Sequence, residues 1–120
     1  PAVSVCVAAA IVWSTWGLFR EALDLALDAA PRGVDPAAIE GALAALPDVV
    51  EVHDLHVWGA STAETSLTAH LVVSGEADRD GVLTAALAVV RERFDVDHAT
   101  VQIEGASAAE SCPQRPADAL

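Results

Sequence analysis

The sequence predicts an α+β domain in which helices cover one face of a small sheet, preceded by a long N-terminal helix. Runs of apolar residues with the alternation of strands occupy residues 49–58, 65–74 and 97–104. Apolar residues at helical spacing occupy residues 36–46 and 79–93. After the first helix the order is therefore α-β-β-α-β, which is typical of a helix-on-sheet sandwich.

The first helix is predicted from an uncharged stretch over residues 2–19, about the length that begins to suggest a membrane span. Its apolar spacing continues past Arg20 and ends at residues 31–33, where Pro and Gly stop it. We expect a membrane-embedded first half with Trp13 and Trp16 near the interface, and an amphipathic second half. The alternative is a buried amphipathic helix of a soluble dimer. Because the chain begins at Pro1 without an initiator Met, we expect it to be part of a larger membrane protein.

The remaining boundaries follow from turn chemistry. Asp35 followed by Pro36 predicts a helix start, with a carboxylate at the N-cap and proline in the first turn. Small polar residues at 59–64 predict a hairpin with a longer loop between the first two strands. From residue 105 the chain turns into a tail of small residues and prolines, which predicts flexibility unless something holds it.

Composition excludes one class of partner. The formal net charge is −12 and the chain contains no lysine, which argues against nucleic acid, because phosphate binding needs clustered basic residues. The two cysteines, Cys6 and Cys112, form no CxxC motif. The chain therefore lacks a disulfide framework and is compatible with a reducing cytosol.

All four histidines lie in predicted strands. His53 and His56 belong to the segment VHDLHVW at residues 52–58, and the other two are His70 and His98. In the second strand Leu67, Ala69, Leu71 and Val73 share the core face, which puts His70 on the other face. The same alternation puts His98 and Glu104 together on the non-core side. The first strand shows no purely apolar face, which predicts a bulge near His53.

These donors allow two interpretations. Imidazole nitrogen and carboxylate oxygen are zinc ligands, and neighbouring strands about 4.8 Å apart can bring such groups together. Each histidine taken alone is more typical of a hydrogen-bonded or solvated side chain, and Glu104 of a solvated strand end. Spacing along the sequence does not show that the donors converge, so the residue pattern leaves both interpretations open.

Four segments in order resemble the cation diffusion facilitator family, and more closely its zinc and cobalt–zinc–cadmium efflux branch. They are REALD at residues 20–24, VHDLHVW at 52–58, LTAHLVV at 67–73 and HATVQIE at 98–104. The resemblance covers nearly the whole chain.

The resemblance implies a ferredoxin-like, metallochaperone-like fold and a homodimeric transporter that exchanges Zn²⁺, or a related ion such as Co²⁺ or Cd²⁺, for protons. It implies that the C-terminal domain dimerises and binds a regulatory metal at the dimer contact. His56 matches the motif, but the resemblance assigns it no secure role as a ligand. In some relatives a cysteine of the tail also binds the metal, so Cys112 is a candidate ligand, although this chain has no second cysteine near it. The implied metal ligands are His53, His70, His98, Glu104 and Cys112.

The resemblance also implies a domain organisation. Residues 1–30 correspond to the end of the last transmembrane helix and a linker, 31–104 to a cytoplasmic metal-binding dimerisation domain, and 105–120 to a flexible tail. Residues 1–19 would lie in the cell (inner) membrane and residues 31–120 in the cytoplasm. The family's transport site lies on earlier helices, so we expect this chain alone not to transport.

Three alternatives remain. A soluble metal chaperone would carry a CxxC in its first loop, which this chain lacks. A regulatory α+β domain that binds an organic ligand at a dimer interface would be favoured if the donors lay far apart. A zinc hydrolase would need a general base in a deep pocket, and no residue suggests one; we therefore expect no enzymatic activity.

Overall fold

The computed structural model describes residues 1–115 of the chain. In chain order its elements are α1 (Ala2–Ala26), α2 (Pro36–Ala44), β1 (Val49–Gly59), β2 (Thr65–Val73), α3 (Arg79–Phe94), β3 (His98–Gly105) and α4 (Ala106–Glu110). The predicted α-β-β-α-β order is confirmed, with α1 before it and α4 after it.

Helix α1 stands apart from the core. Within the described chain no residue of α1 is buried, and Trp13 is 87% exposed. Among residues 1–115 it is the one helix long and apolar enough to cross a membrane, with a mean hydropathy of 1.8 over its best window. A helix with this much exposed apolar surface needs a lipid or protein partner.

α1 ends before the predicted stop at residues 31–33. Asp28 adopts a left-handed backbone with φ of 51°. Its N–H donates to the carbonyl of Leu25 at 3.3 Å, and the N–H of Ala29 donates to the carbonyl of Asp24 at 2.9 Å. These two bonds form a Schellman motif, which satisfies the last carbonyls of the helix and turns the chain toward the domain.

Helix α2 begins as its sequence predicts. The Asp35 carboxylate accepts a hydrogen bond from the N–H of Ala37 at 3.0 Å, with Pro36 at the first helical position. The helix buries Ile39 and Leu43 against the sheet. An N-cap at this place fixes where the apolar face begins, and thus which side chains reach the core.

The sheet has the strand order β1-β2-β3. β1 and β2 form the predicted antiparallel hairpin. β2 and β3 are parallel, because α3 carries the chain back across the sheet between them. All three strands therefore contribute side chains to the face turned away from the helices.

The core lies between the helices and one face of this sheet. The predicted core face of β2 is confirmed, since Leu67, Ala69, Leu71 and Val73 are each at most 2% exposed. The other members of the buried cluster are Ile39, Leu43, Val57, Val82, Ala86, Val90 and Val96.

The predicted bulge in β1 is confirmed. The register of β1 against β2 shifts between His53 and His56, and Asp54 between them is left-handed with φ of 51°. A bulge adds a residue to one strand and breaks the two-residue alternation of faces. It leaves His53 directly opposite His70.

After β3 the chain continues across the sheet. Where the sequence predicts a flexible tail, residues Ala106–Glu110 form a short helix that packs against β2 and β3. Ala109 in this helix is 2% exposed, because its small side chain lets the helix approach the strands closely. Residues 116–120 of the predicted tail lie outside the described residues.

Candidate metal centre

Four potential metal donors meet on the sheet face opposite helices α2 and α3. β1 supplies His53, β2 supplies His70, β3 supplies Glu104, and the turn after α4 supplies Cys112. One donor atom from each lies within 4.8 Å of the others. All four are among the ligands that the family resemblance implied, and the structure brings them together.

The Glu104 carboxylate joins the two imidazoles. Its Oε2 lies 3.2 Å from Nε2 of His53, and its Oε1 lies 3.0 Å from Nδ1 of His70. The Cys112 Sγ lies 3.8 Å from the same His70 nitrogen. The three strands thus deliver two nitrogens and a carboxylate to one point, and the tail adds a sulfur.

The centre is largely withdrawn from water. His53 is 6% exposed and Glu104 is 4% exposed. A carboxylate at this depth needs partners, and Gln102 supplies one by donating from Nε2 to Glu104 Oε1 at 2.6 Å. Among residues 1–115 the buried Nδ1 of His53 has no hydrogen-bond partner. A buried polar atom left without a partner costs about 1–3 kcal/mol, so this nitrogen is available to a further partner at the site.

Asp54 links the centre to the surface. Its Oδ1 lies 3.0 Å from Nε2 of the exposed His56, and its Oδ2 lies 3.8 Å from Nε2 of His70. The left-handed backbone of the bulge points this carboxylate at the ring nitrogen that faces away from Glu104. At 3.8 Å the contact is longer than a hydrogen bond, so Asp54 acts on His70 only as a nearby negative charge.

The donor set fits a tetrahedral soft or borderline divalent ion. With metal–ligand bonds of about 2.0–2.3 Å, the donors of a tetrahedral zinc site lie about 3.3–3.8 Å apart. The contacts of 3.0, 3.2 and 3.8 Å are close to this range, although the two shorter ones use different oxygens of Glu104. The four donor atoms together lie within 4.8 Å of one another, so a bound ion would draw them closer. Two imidazoles, a carboxylate and a thiol are ligand types that suit zinc better than magnesium or calcium.

His98, also predicted as a ligand, is not part of this cluster. It begins β3 opposite Ser66, whereas Glu104 lies near the other end of the strand opposite Val72. Six residues of extended chain separate the two by about 20 Å. Alternation correctly assigned both to one face, but it gives no position along the strand.

Residues that support the centre were not identified from the sequence. Besides Gln102 and Asp54, Arg115 donates from Nε and Nη2 to the Glu51 carboxylate at 2.9 and 2.6 Å. These hydrogen bonds raise the pKa of Arg115 above its ordinary value, although the guanidinium is charged at neutral pH without them. Glu51 could have been noticed from its place two residues before His53, but nothing in the sequence identifies Arg115 as its partner.

Fold and site together define an α+β domain whose sheet carries two histidines and a glutamate beside a cysteine of the tail, with His53 and Glu104 buried and the other two donors partly exposed. Residues 31–106 match the family model described as the cation efflux protein, cytoplasmic domain. The chain belongs to this family.

Curated relatives agree with the family. The chain is 35% identical over 102 residues to the vacuolar zinc transporter TgZnT of Toxoplasma gondii, a match that covers 85% of this chain and 11% of that protein. It is 32% identical over 104 residues to the metal cation efflux system protein CzcD of Cupriavidus metallidurans, covering 86% of this chain and 33% of that protein. It is 27% identical to the proton-coupled zinc antiporter SLC30A2 of Mus musculus, covering 78% of this chain and 25% of that protein. The chain thus spans about a tenth to a third of the length of these relatives.

A solved structure shares the fold. The metal-bound C-terminal domain of the CzcD transporter from Cupriavidus metallidurans superposes with a TM-score of 0.54 at 33% identity. The match covers 59% of this chain and 99% of that chain. The predicted α+β fold class and the family resemblance are confirmed.

Proposed function

We propose that this chain is the cytoplasmic regulatory, metal-binding and dimerisation domain of a Zn²⁺ efflux transporter that works as a proton antiporter. The observation that carries the proposal is the convergence of four donor atoms within 4.8 Å on the sheet. The similarity to zinc transporters and to the metal-bound CzcD domain supports the choice of metal. The similarity to a proton-coupled zinc antiporter supports the coupling to protons.

The metal would be held by His53, His70, Glu104 and Cys112, with Co²⁺ and Cd²⁺ as related ions. His98 is not included, because it lies at the other end of β3 from Glu104. An organic ligand would have been favoured if the donors lay far apart. Because they converge, a metal ion is favoured instead.

The role we propose is regulatory and not enzymatic. Four protein donors fill a tetrahedral coordination shell, whereas catalytic zinc sites keep a position open for water or substrate. A regulatory ion acts by linkage: it shifts the population toward the dimer arrangement that it binds more tightly, by its differential affinity and no more.

We further propose that α1 is anchored in the cell (inner) membrane and that residues 31–120 are cytoplasmic. The support is the exposed apolar surface of α1, with Trp13 and Trp16 near its middle and Arg20 beyond them. Residues 1–115 contain one helix that could cross a membrane. One such helix does not enclose a path for ions, so this chain would not transport on its own.

Isothermal titration calorimetry with Zn²⁺ tests the metal site. The full 120-residue chain in detergent should bind Zn²⁺, and His70→Ala should weaken binding by about a hundredfold or more, because loss of a ligand costs more than the tenfold to hundredfold typical of loss of a ligand's hydrogen-bond partner. His98→Ala is the matched control, since it removes an imidazole from the same sheet face outside the cluster, and it should leave the affinity unchanged. Equal heats for the wild type and His70→Ala would refute the site.

Sedimentation velocity with Zn²⁺ and with EDTA tests dimerisation and its coupling to metal. The dimer fraction should rise with Zn²⁺ in the wild type and stay constant in His70→Ala. A monomer at all protein concentrations in both conditions would contradict the dimerisation role while leaving the calorimetric result standing.

A further inference from the structure

We propose that the Glu51–Arg115 ion pair is a latch that holds residues 105–115 over the metal centre and so positions the Cys112 thiolate as its fourth ligand. Glu51 and Arg115 are thus positioning residues for a ligand that the sheet itself does not supply. The inference rests on the proposed metal-binding function and adds how that site is completed.

The tail is anchored first by packing. It leaves β3 at Gly105 and forms α4, whose Ala109 is 2% exposed against β2 and β3. This contact places the tail beside the two strands that carry His70 and Glu104. The packing of Ala109 alone does not fix the direction of the residues that follow α4, so a second contact is needed.

Arg115 supplies the second anchor, on the opposite edge of the site. Its guanidinium meets the Glu51 carboxylate through two parallel contacts of 2.9 and 2.6 Å. Both side chains are three-quarters buried or more, and bidentate pairs of this kind fix geometry as well as adding energy. Because Glu51 lies two residues before His53, the pair ties the tail to the strand on the far side of the centre.

Cys112 lies midway between the two anchors. Its N–H donates to the carbonyl of Ala109 at 3.2 Å, and its own carbonyl accepts from the N–H of Arg115 at 3.2 Å. With both ends fixed, the turn holds Sγ 3.8 Å from Nδ1 of His70. A ligand held near its bonding position loses little conformational freedom when the metal arrives, which raises affinity.

The latch has a consequence for metal choice. Without Cys112 the site offers two imidazoles and a carboxylate, which also suit harder ions. A thiolate shifts the preference toward Zn²⁺, Cd²⁺ and Co²⁺. The ion pair would therefore contribute to selectivity without touching the metal.

Cobalt spectroscopy distinguishes metal binding itself from the placement of the Cys112 sulfur on the metal, which is what the latch would control. The full chain carrying Cys6→Ala, so that Cys112 is its one cysteine, is titrated with Co²⁺ in detergent. Visible d–d bands report tetrahedral binding, and a near-ultraviolet sulfur-to-cobalt charge-transfer band reports the thiolate. The variants are Arg115→Gln, Glu51→Gln, the conservative Arg115→Lys, the ligand variant Cys112→Ser, and Arg32→Gln, which breaks the exposed Arg32–Asp24 pair of 3.2 Å as a matched control.

We expect both bands in the Cys6→Ala parent and in Arg32→Gln. Arg115→Gln and Glu51→Gln should keep d–d bands, lose most of the charge-transfer intensity and bind Co²⁺ about tenfold more weakly. Arg115→Lys should restore part of the charge-transfer band, and Cys112→Ser should abolish it. Circular dichroism checks that every variant is folded.

The latch is refuted if Arg115→Gln and Glu51→Gln retain the parent's charge-transfer band and affinity. It is also refuted if the parent shows d–d bands without charge transfer, a result that would leave the proposed metal-binding function intact. A parent with no cobalt spectrum at all would remove both proposals together.

Discussion

His53 and His70 stand directly opposite each other in the β1–β2 ladder, with their ring centroids 5.0 Å apart and the rings edge to face. The bulge that follows His53 places His56 opposite Thr68, so His53 and His56 lie on the same sheet face although they are three residues apart. The His53–His70 pair presents two nitrogens to the carboxylate of Glu104, which arrives from β3. The stability and the metal response of the domain should both depend on this arrangement.

Zn²⁺ should raise the melting temperature of the chain. An ion that binds only the folded state at a hundred times its Kd adds about 2.7 kcal/mol to the free energy of unfolding. For a domain of this size that corresponds to a rise of about 10 °C or more. Circular dichroism melts with Zn²⁺ and after addition of EDTA measure this rise. A melting temperature that changes with neither addition would contradict the metal site.

Asp54→Val should destabilise the domain by about 1–3 kcal/mol, because a β-branched residue is strained at the left-handed φ of 51°. Asp54→Asn is the matched control, since asparagine tolerates this backbone and has nearly the same shape. Urea denaturation of the two variants should separate them. Equal free energies of unfolding would show that the bulge relaxes when its side chain changes.

Leu71→Ala should cost about 2–5 kcal/mol of stability, because Leu71 is fully buried under α2 and α3 and its loss leaves a cavity. Leu87→Ala in α3 removes the same atoms from a position that is 37% exposed, and it should cost about 1 kcal/mol. Chemical denaturation compares the two. A cost for Leu87→Ala equal to that of Leu71→Ala would place the core elsewhere.

Asp35→Ala should lower stability by about 1 kcal/mol, because it removes the acceptor for the N–H of Ala37 at the start of α2. Glu40→Ala, an exposed position in the same helix, controls for the loss of one negative charge. Thermal and urea unfolding give the difference between them. If both substitutions had the same effect, the capping bond would carry no stability.

The secondary structure was predictable because its causes are local. Helical spacing in α3, the Asp35-Pro36 start of α2 and the hairpin after residue 59 depend on neighbouring residues alone. The core face of β2 followed from two-residue alternation, and even the bulge near His53 showed as a strand with no clean apolar face. The end of α1 was missed, because an aspartate supplied the left-handed residue where glycine or proline was expected.

The types of residue at the site were predictable from the sequence, but the particular residues that meet there were not. His53, His70 and Glu104 converge because the register of three strands aligns them. The alternation of side chains along a strand does not give that register, so it could not separate His98 from the ligands. Cys112 was proposed by resemblance and reaches the site through α4 and the Arg115 contact with Glu51. No local pattern encodes a contact between residues 64 positions apart in the chain.

By itself the sequence determined the order of elements, the apolar N-terminal helix, the sheet face that carries the donors and the kind of ligand they form. Only the tertiary structure decided which donors share one point and how the tail closes over them. The physical reason is that periodicity gives the direction of a side chain, whereas distance depends on strand register and on packing between segments remote in sequence.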